Sequence, residues 1–167
     1  EKILGPGEVG EICVRGPQVM QGYWKAAEAT SATLRDGWLY TGDIGYVDAR
    51  GHTFIQDRKK EMIKYKGFGI APAEIEALLF EHPAVADAAV IGKPDPEAGE
   101  VPKAFVVRKA GHDTLTAEEL IAFAKGRLAA YKTVHEVEFV QAIPKTPSGK
   151  ILRRVLKEQE LAKRPRA

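Results

Sequence analysis

A single cysteine, Cys13, is all that this chain of 167 residues contains. An internal disulfide and a cysteine-based metal site are therefore excluded, and the composition suits a reducing, cytoplasmic compartment. Long apolar runs are absent too. Nothing approaches the roughly 18 residues of a membrane-spanning helix and no signal peptide is visible, so stable membrane insertion is not expected. The four histidines, His52, His82, His112 and His135, lie far apart with no i,i+4 pair, which argues against a metal site. Net charge is also scarce: a formal +2 is too small to indicate nucleic acid by itself. What remains has the balance of a globular protein, 44% hydrophobic and 29% charged, with length for one ordinary domain or two small ones. The chain opens Glu1-Lys-Ile-Leu without an initiator methionine, which reads as a piece of something longer.

The first third reads as short strands and tight turns. Glu11–Arg15 is a strand candidate, Asp36-Gly37 a hairpin turn before Trp38–Tyr40, and Asp48-Ala-Arg-Gly51 a second turn before His52–Gln56. The character changes at Asp57-Arg-Lys-Lys-Glu61, a charged connector. Beyond it, Pro72 at a first helical position, with Glu74 and Glu76 in the first turn and Ile75, Leu78 and Leu79 as an apolar stripe, predicts a helix. Val85–Ile91, Lys103–Val107 and Val137–Val140 are strand candidates. Thr116-Ala-Glu-Glu119 is a capping box, with Leu115 and Leu120 as a hydrophobic staple, for a helix turning Leu120, Ile121, Ala124 and Leu128 inward. The expected class is α+β: a small β-rich segment over residues 1–57, then a compact unit over 58–167 with a short mixed sheet flanked by helices.

Several motifs carry chemistry. Gly5-Pro-Gly-Glu-Val-Gly10 has the spacing of a dinucleotide loop but neither strand before nor helix after, and reads as a plain loop. Cys13, in a strand pattern, reads as a small buried hydrophobe. In Tyr40-Thr-Gly-Asp43, at the end of a strand, the aspartate suits either a turn that bonds its own backbone or a cis-diol such as a ribose. Gly67 and Gly69 flank Phe68, as in a hairpin turn or a loop that lets backbone approach a ligand. The basic run Arg58–Lys66 reads as a solvated face for Lys59. Pro144-Lys-Thr-Pro-Ser-Gly-Lys-Ile-Leu-Arg-Arg154 is the oddest stretch. If Ser148 caps the following helix, Lys150, Arg153 and Arg154 fall in its first turns, where the macrodipole favours anions instead. Either Lys150 is a solvated loop lysine or an external anion compensates it. The tail Lys163–Arg166 reads as a frayed end.

Taken together and in this order, Tyr40–Asp43, Asp57–Phe68 and Pro144–Lys150 resemble the C-terminal part of the adenylate-forming superfamily, which includes acyl-CoA synthetases, 4-coumarate–CoA ligases and luciferases. Ala71–Glu76 and His82–Asp87 match as well. The resemblance implies an AMP-forming acid–CoA ligase that joins a carboxylic acid to CoA through an acyl-adenylate, using ATP. It implies that Asp43, helped by Arg58, binds the ribose of ATP or AMP, and that Lys60 is the hinge between a large N-terminal domain and a small mobile C-terminal one. Lys150 would contact the carboxylate and α-phosphate during adenylation. Lys64, Tyr65, Lys66 and Gly67 would form the loop serving the thioester half-reaction along the CoA path.

One departure stands out: Gly69 occupies a position where many relatives carry Gln or Arg. The family's phosphate loop, adenine pocket and acyl pocket are not in this sequence, so Mg2+ ligands and the N-terminal adenylation domain are expected elsewhere in a longer protein. The resemblance accordingly predicts an inactive fragment. The alternatives are a stand-alone CoA- or nucleotide-binding module and an adenylating enzyme with another acceptor. A nucleic-acid partner is disfavoured, since the basic tail has no aromatic interleaving and includes Glu158 and Glu160.

Overall fold

The computed structural model describes residues 2–163 and divides into two compact units, Glu1–Lys60 and Glu61–Ala167. The first unit is built on one long strand. Strand β3 (Trp38–Val47) pairs antiparallel with β1 (Gly10–Val14) on one edge, and with β2 (Leu34–Arg35) and then β4 (Thr53–Arg58) on the other. Asp36 and Gly37 close the β2–β3 hairpin with φ of 49° and 79°, the twist that matches flanking strands. Helix α1 (Ala27–Thr33) was not expected from the turn-rich sequence; its Thr30 hydroxyl accepts from the Tyr23 N–H at 2.9 Å. The unit leaves Phe54 and Ile55 exposed.

The second unit holds the core. Its central strand β8 (Gly99–Arg108) lies antiparallel to β7 (Val85–Asp95) along one edge. The other edge is shared: β5 (Ile63–Tyr65), paired in turn with β6 (Phe68–Ile70), touches β8 near Gly99, and β9 (Glu136–Phe139) runs parallel to it from Lys103. The sheet is therefore mixed, as expected. Both faces are covered, so β7 is apolar at consecutive positions instead of alternating. Ala88 and Val90 with Ala104 and Val106 face helices α2 (Pro72–Phe80) and α3 (Ala117–Ala124); Ala89, Ile91 and Phe105 face Leu156 of α4 (Arg153–Ala162). Apolar burial at about 25 cal/mol per Å² makes this double-sided core the main stabilising term.

Local signals act as expected at α2 and α3. Pro72 occupies the first turn of α2, and Ile75, Leu78 and Leu79 are buried. Thr116 and Glu119 form the reciprocal capping box, with Leu115 and Leu120 buried beside it. Helix α3 stops sooner than its apolar spacing suggests. Lys125 turns extended and Gly126 takes φ of 83°, so Leu128 packs on the core from outside the helix. Among the described residues no helix is long and apolar enough to cross a membrane.

Candidate functional site

In the first unit the chemistry gathers where β3 breaks register. Residue Ile12 faces the three residues Thr41, Gly42 and Asp43, since Glu11 pairs with Ile44 and Cys13 with Tyr40. Asp43 thus sits inside β3 at a bulge, not at a strand end. The Thr41 hydroxyl donates to the Ile12 carbonyl at 2.7 Å and accepts from the Asp43 N–H at 3.1 Å. Arg58, the last residue of β4, lies opposite Asp43, and its Nε reaches Asp43 Oδ1 at 2.8 Å. Beside them Glu11 accepts from the Gly42 N–H at 3.1 Å and pairs with Lys59 Nζ at 2.7 Å. Lys59 is solvent-exposed, as the charge run suggested, and is also held in this ion pair. Its N–H also donates to the Gly42 carbonyl at 2.7 Å, which extends the first unit past Asp57. Cys13 is half-buried, not buried, with Sγ near the Glu11 carbonyl. Lys60 lies in the turn that follows.

In the second unit Lys64, Tyr65, Lys66 and Gly67 belong to the β5–β6 hairpin. Lys66 and Gly67 make its two-residue turn at φ of 46° and 85°; both central residues have positive φ, and glycine adopts it without steric cost. The Lys64 side chain is exposed and its N–H donates to the Glu100 carboxylate at 2.8 Å. Tyr65 packs on the core and lies 5.5 Å, ring to ring, from His135. The Lys66 N–H donates to the Ala98 carbonyl at 2.8 Å. Phe68 stacks on Tyr131 at 4.8 Å yet remains more than half exposed. A Cβ at Gly69 would stand 3.1 Å from the Met62 terminal methyl, so the bare position leaves room for that side chain.

The lysine turn corrects the sequence reading. Helix α4 begins at Arg153 with Leu152 as its N-cap, so Lys150 precedes the helix and Ser148 does not cap it. The Ser148 hydroxyl instead lies 2.9 Å from that of Thr146. The segment closes as a small hairpin: Thr146 N–H donates to the Lys150 carbonyl at 2.8 Å, Gly149 N–H to Thr146 at 2.9 Å, and Leu152 N–H to Pro144 at 2.8 Å. Lys145 and Ile151 form a bridge between its arms. Ile143 and Ile151 anchor both arms in the second hydrophobic cluster, and Lys145 pairs with Asp87. Where proline and glycine suggested a slack loop, Lys150 rides on a braced one. Its ammonium is exposed and has no ion-pair partner among the described residues.

The arginine that the dipole should disfavour has an internal anion. Arg153 Nη2 lies 2.8 and 2.6 Å from the two carboxylate oxygens of Glu76, which is buried in α2 and also accepts from the Val90 N–H at 2.8 Å. Glu76 is thus no solvated first-turn acid but the counter-ion of Arg153. At the other end of α4, Lys103, only 2% exposed, lies 2.6 Å from Glu136, 2.9 Å from Glu138 and 2.7 Å from Glu160. Lys93 reaches Glu136 and Glu160, and Lys163 reaches Glu138 and Glu160. Burial would lower the Lys103 pKa, but hydrogen bonds to the three carboxylates outweigh it and hold the group above the ordinary lysine range. Partial burial works against ionisation of Glu136, Glu138 and Glu160 as well, and their lysine partners hold all three below the usual value. Sequence reading missed this network. Its one signal was Lys103 at an inward position of an apolar strand, two residues before Phe105.

Residues 74–150 match the model of the AMP-binding enzyme C-terminal domain. A 4-coumarate–CoA ligase 2 from Narcissus pseudonarcissus is 57% identical over 92% of this chain and 27% of its own length. A 4-coumarate–CoA ligase 1 from Glycine max is 52% identical over 98% of the chain and 56% of its own length. Among solved structures, ATP-bound MatB from Rhodopseudomonas palustris superposes with a TM-score of 0.86 at 38% identity, covering 93% of this chain and 31% of that one. The o-succinylbenzoate CoA synthetase MenE from Bacillus subtilis, in complex with its acyl-adenylate OSB-AMP, gives 0.82 at 41%, covering 92% and 31%. With residues 74–150 matching that domain and more than nine-tenths of the chain similar to these enzymes, the chain resembles the C-terminal part of the adenylate-forming family. Within it, the sequence matches the C-terminal part of 4-coumarate–CoA ligases and spans about a quarter to a half of their length.

Proposed function

We propose that this chain is the C-terminal part of an AMP-forming acid–CoA ligase, comprising the end of the large adenylation domain over residues 1–60 and the mobile C-terminal domain over 61–167. The reaction joins a carboxylic acid, ATP and CoA to give acyl-CoA, AMP and pyrophosphate. The observation that carries the reading is Lys150: an exposed ammonium on a braced hairpin, without an ion-pair partner among the described residues, in a chain more than half identical to CoA ligases.

In the first step a carboxylate oxygen attacks the α-phosphorus of ATP and pyrophosphate leaves. Two anions approach and charge builds on the phosphoryl oxygens, so a preorganised cation lowers the barrier. Lys150 is that cation in this proposal. Asp43 offers the ribose hydroxyls a carboxylate whose orientation Arg58 holds; with one oxygen on Arg58, the other is left to accept from a cis-diol. Mg2+ accompanies ATP, with ligands in the part of the enzyme outside this chain.

In the second step the CoA thiolate attacks the acyl carbonyl and AMP leaves. The Lys64–Gly67 hairpin serves this step and lines the pantetheine path, where glycine at position 67 leaves the turn without a side chain. Rotation about Lys60 exchanges the two faces. The compartment is cytoplasmic, in keeping with one cysteine. The test is product analysis with the complete enzyme, taking 4-coumarate as the first acid. Acid-dependent pyrophosphate release followed by acyl-CoA supports the reading; an adenylate that passes only to an amine identifies another acceptor and overturns it.

A further inference from the structure

The β5–β6 hairpin is joined to the sheet by very little. Only one residue pair, Tyr65 with Gly99, registers β5 against β8. On one side of that rung the ladder is regular, with the Lys66 N–H donating to the Ala98 carbonyl at 2.8 Å. Continued one step the other way, the register sets Lys64 opposite Glu100 and should offer it the Glu100 main-chain carbonyl. The paired register ends there. The Lys64 N–H takes the Glu100 side-chain carboxylate instead, at 2.8 Å. A charged acceptor makes this bond stronger than the ladder bond it replaces. Glu100 has no ion pair among the described residues, so its charge is not spent on a neighbouring lysine.

Room for this arrangement comes from Gly92 on β7. A Cβ there would lie 2.7 Å from Glu100 Oε2 and 2.8 Å from its Cδ. Gly92 is buried and its φ is ordinary, so backbone conformation does not demand glycine at this position. A side chain there would instead displace the Glu100 carboxylate, the movable end of its side chain.

We infer that Glu100, seated over Gly92, is a positioning residue for the thioester half-reaction: its carboxylate replaces a main-chain carbonyl on Lys64 and sets the angle at which the Lys64–Gly67 hairpin leaves the sheet. The inference rests on the ligase reading above and on the assignment of that hairpin to the second step. Without the carboxylate, the hairpin pivots on the Tyr65–Gly99 rung while the hydrophobic core beneath Ile63 and Ile70 is unaffected.

The test uses the complete enzyme with Glu100→Leu, Glu100→Gln and Gly92→Ala. Acyl-adenylate formation is measured as pyrophosphate release, and thioester formation from supplied acyl-adenylate and CoA. Glu100→Leu and Gly92→Ala should slow the second step about tenfold, the loss of one charge-assisted bond, and leave the first within about twofold. Glu100→Gln keeps an acceptor oxygen and should restore most of the second step. Amide exchange at Lys64 should quicken in the two damaging variants and not at Leu79. Equal loss in both steps, or none, in an active parent overturns this inference alone. A parent without acyl-adenylate formation overturns the ligase reading and the inference with it.

Discussion

Arg153, the first residue of α4, packs half-buried against the buried Glu76 of α2, with Nη2 at 2.8 and 2.6 Å from the two carboxylate oxygens and Nε at 3.3 Å from the Val90 carbonyl. One guanidinium thereby ties the last helix to a second helix and to β7. The turn that carries Lys150 ends at that knot.

Breaking this pair from one side strands a buried charge, which costs about 3–5 kcal/mol. Arg153→Met and Glu76→Met should each lower the urea midpoint of the chain by that equivalent. The double variant should recover much of the loss, because two buried apolar side chains leave no uncompensated charge. Additive losses in a double-mutant cycle would show that the two residues act independently.

The lysine–glutamate network sets a pH window. Glu136, Glu138 and Glu160 titrate below their ordinary 4.5, so in acid the unfolded chain binds more protons than the folded one. Their contribution is complete above about pH 4.5 and is lost as pH falls through the depressed folded values. Lys103 is raised above 10.5, so its contribution is complete below that value and lost as pH climbs through the folded pKa. Denaturation midpoints should stay level between these limits and fall on both sides. Glu160→Gln should shrink the acid limb; an unchanged limb would remove Glu160 from the linkage.

Lys150→Ala in the complete enzyme should cut acid-dependent pyrophosphate release by about 100-fold or more, the scale of removing a preorganised charge from a phosphoryl-transfer site. Thioester formation from supplied acyl-adenylate should persist. Equal loss of both steps would contradict the division of labour between Lys150 and the hairpin.

The chain by itself should release no pyrophosphate from ATP and a carboxylic acid, since only the Asp43 strand and the second unit are present. ATP- and acid-dependent release by the purified chain would refute this. Lys60→Pro in the complete enzyme should impair passage between the two steps more than either step in isolation.

Much of the second unit was legible because its signals are local. Pro72, the Thr116–Glu119 box, the apolar period of α2 and the apolar run of β7 each act within a few residues, and each element formed where its signal stood. The lysine motifs were legible as ordered blocks. What sequence reading missed depends on contacts between distant residues: Glu76 with Arg153, Lys103 with Glu160, Lys59 with Glu11. Arg153 looked misplaced on a helix dipole because its counter-ion lies 77 positions away in the chain. Ser148 resembled a cap by residue type, but Thr146 already holds the turn, and the helix starts only after Ile151 has entered the core.

The two lysine-bearing turns are fastened near opposite ends of one strand. Asp87, near the start of β7, holds the Lys150 turn through Lys145; Ala98, just beyond its end, holds the hairpin through the Lys66 N–H. Asp95 lies eight residue steps along β7 from Asp87, a span of roughly 26 Å at about 3.3 Å per residue. With helices packed on both faces, that strand behaves as a stiff bar. Neither turn can move to the place of the other by local flexing, so any protein that needs both at one spot must turn the bar end for end.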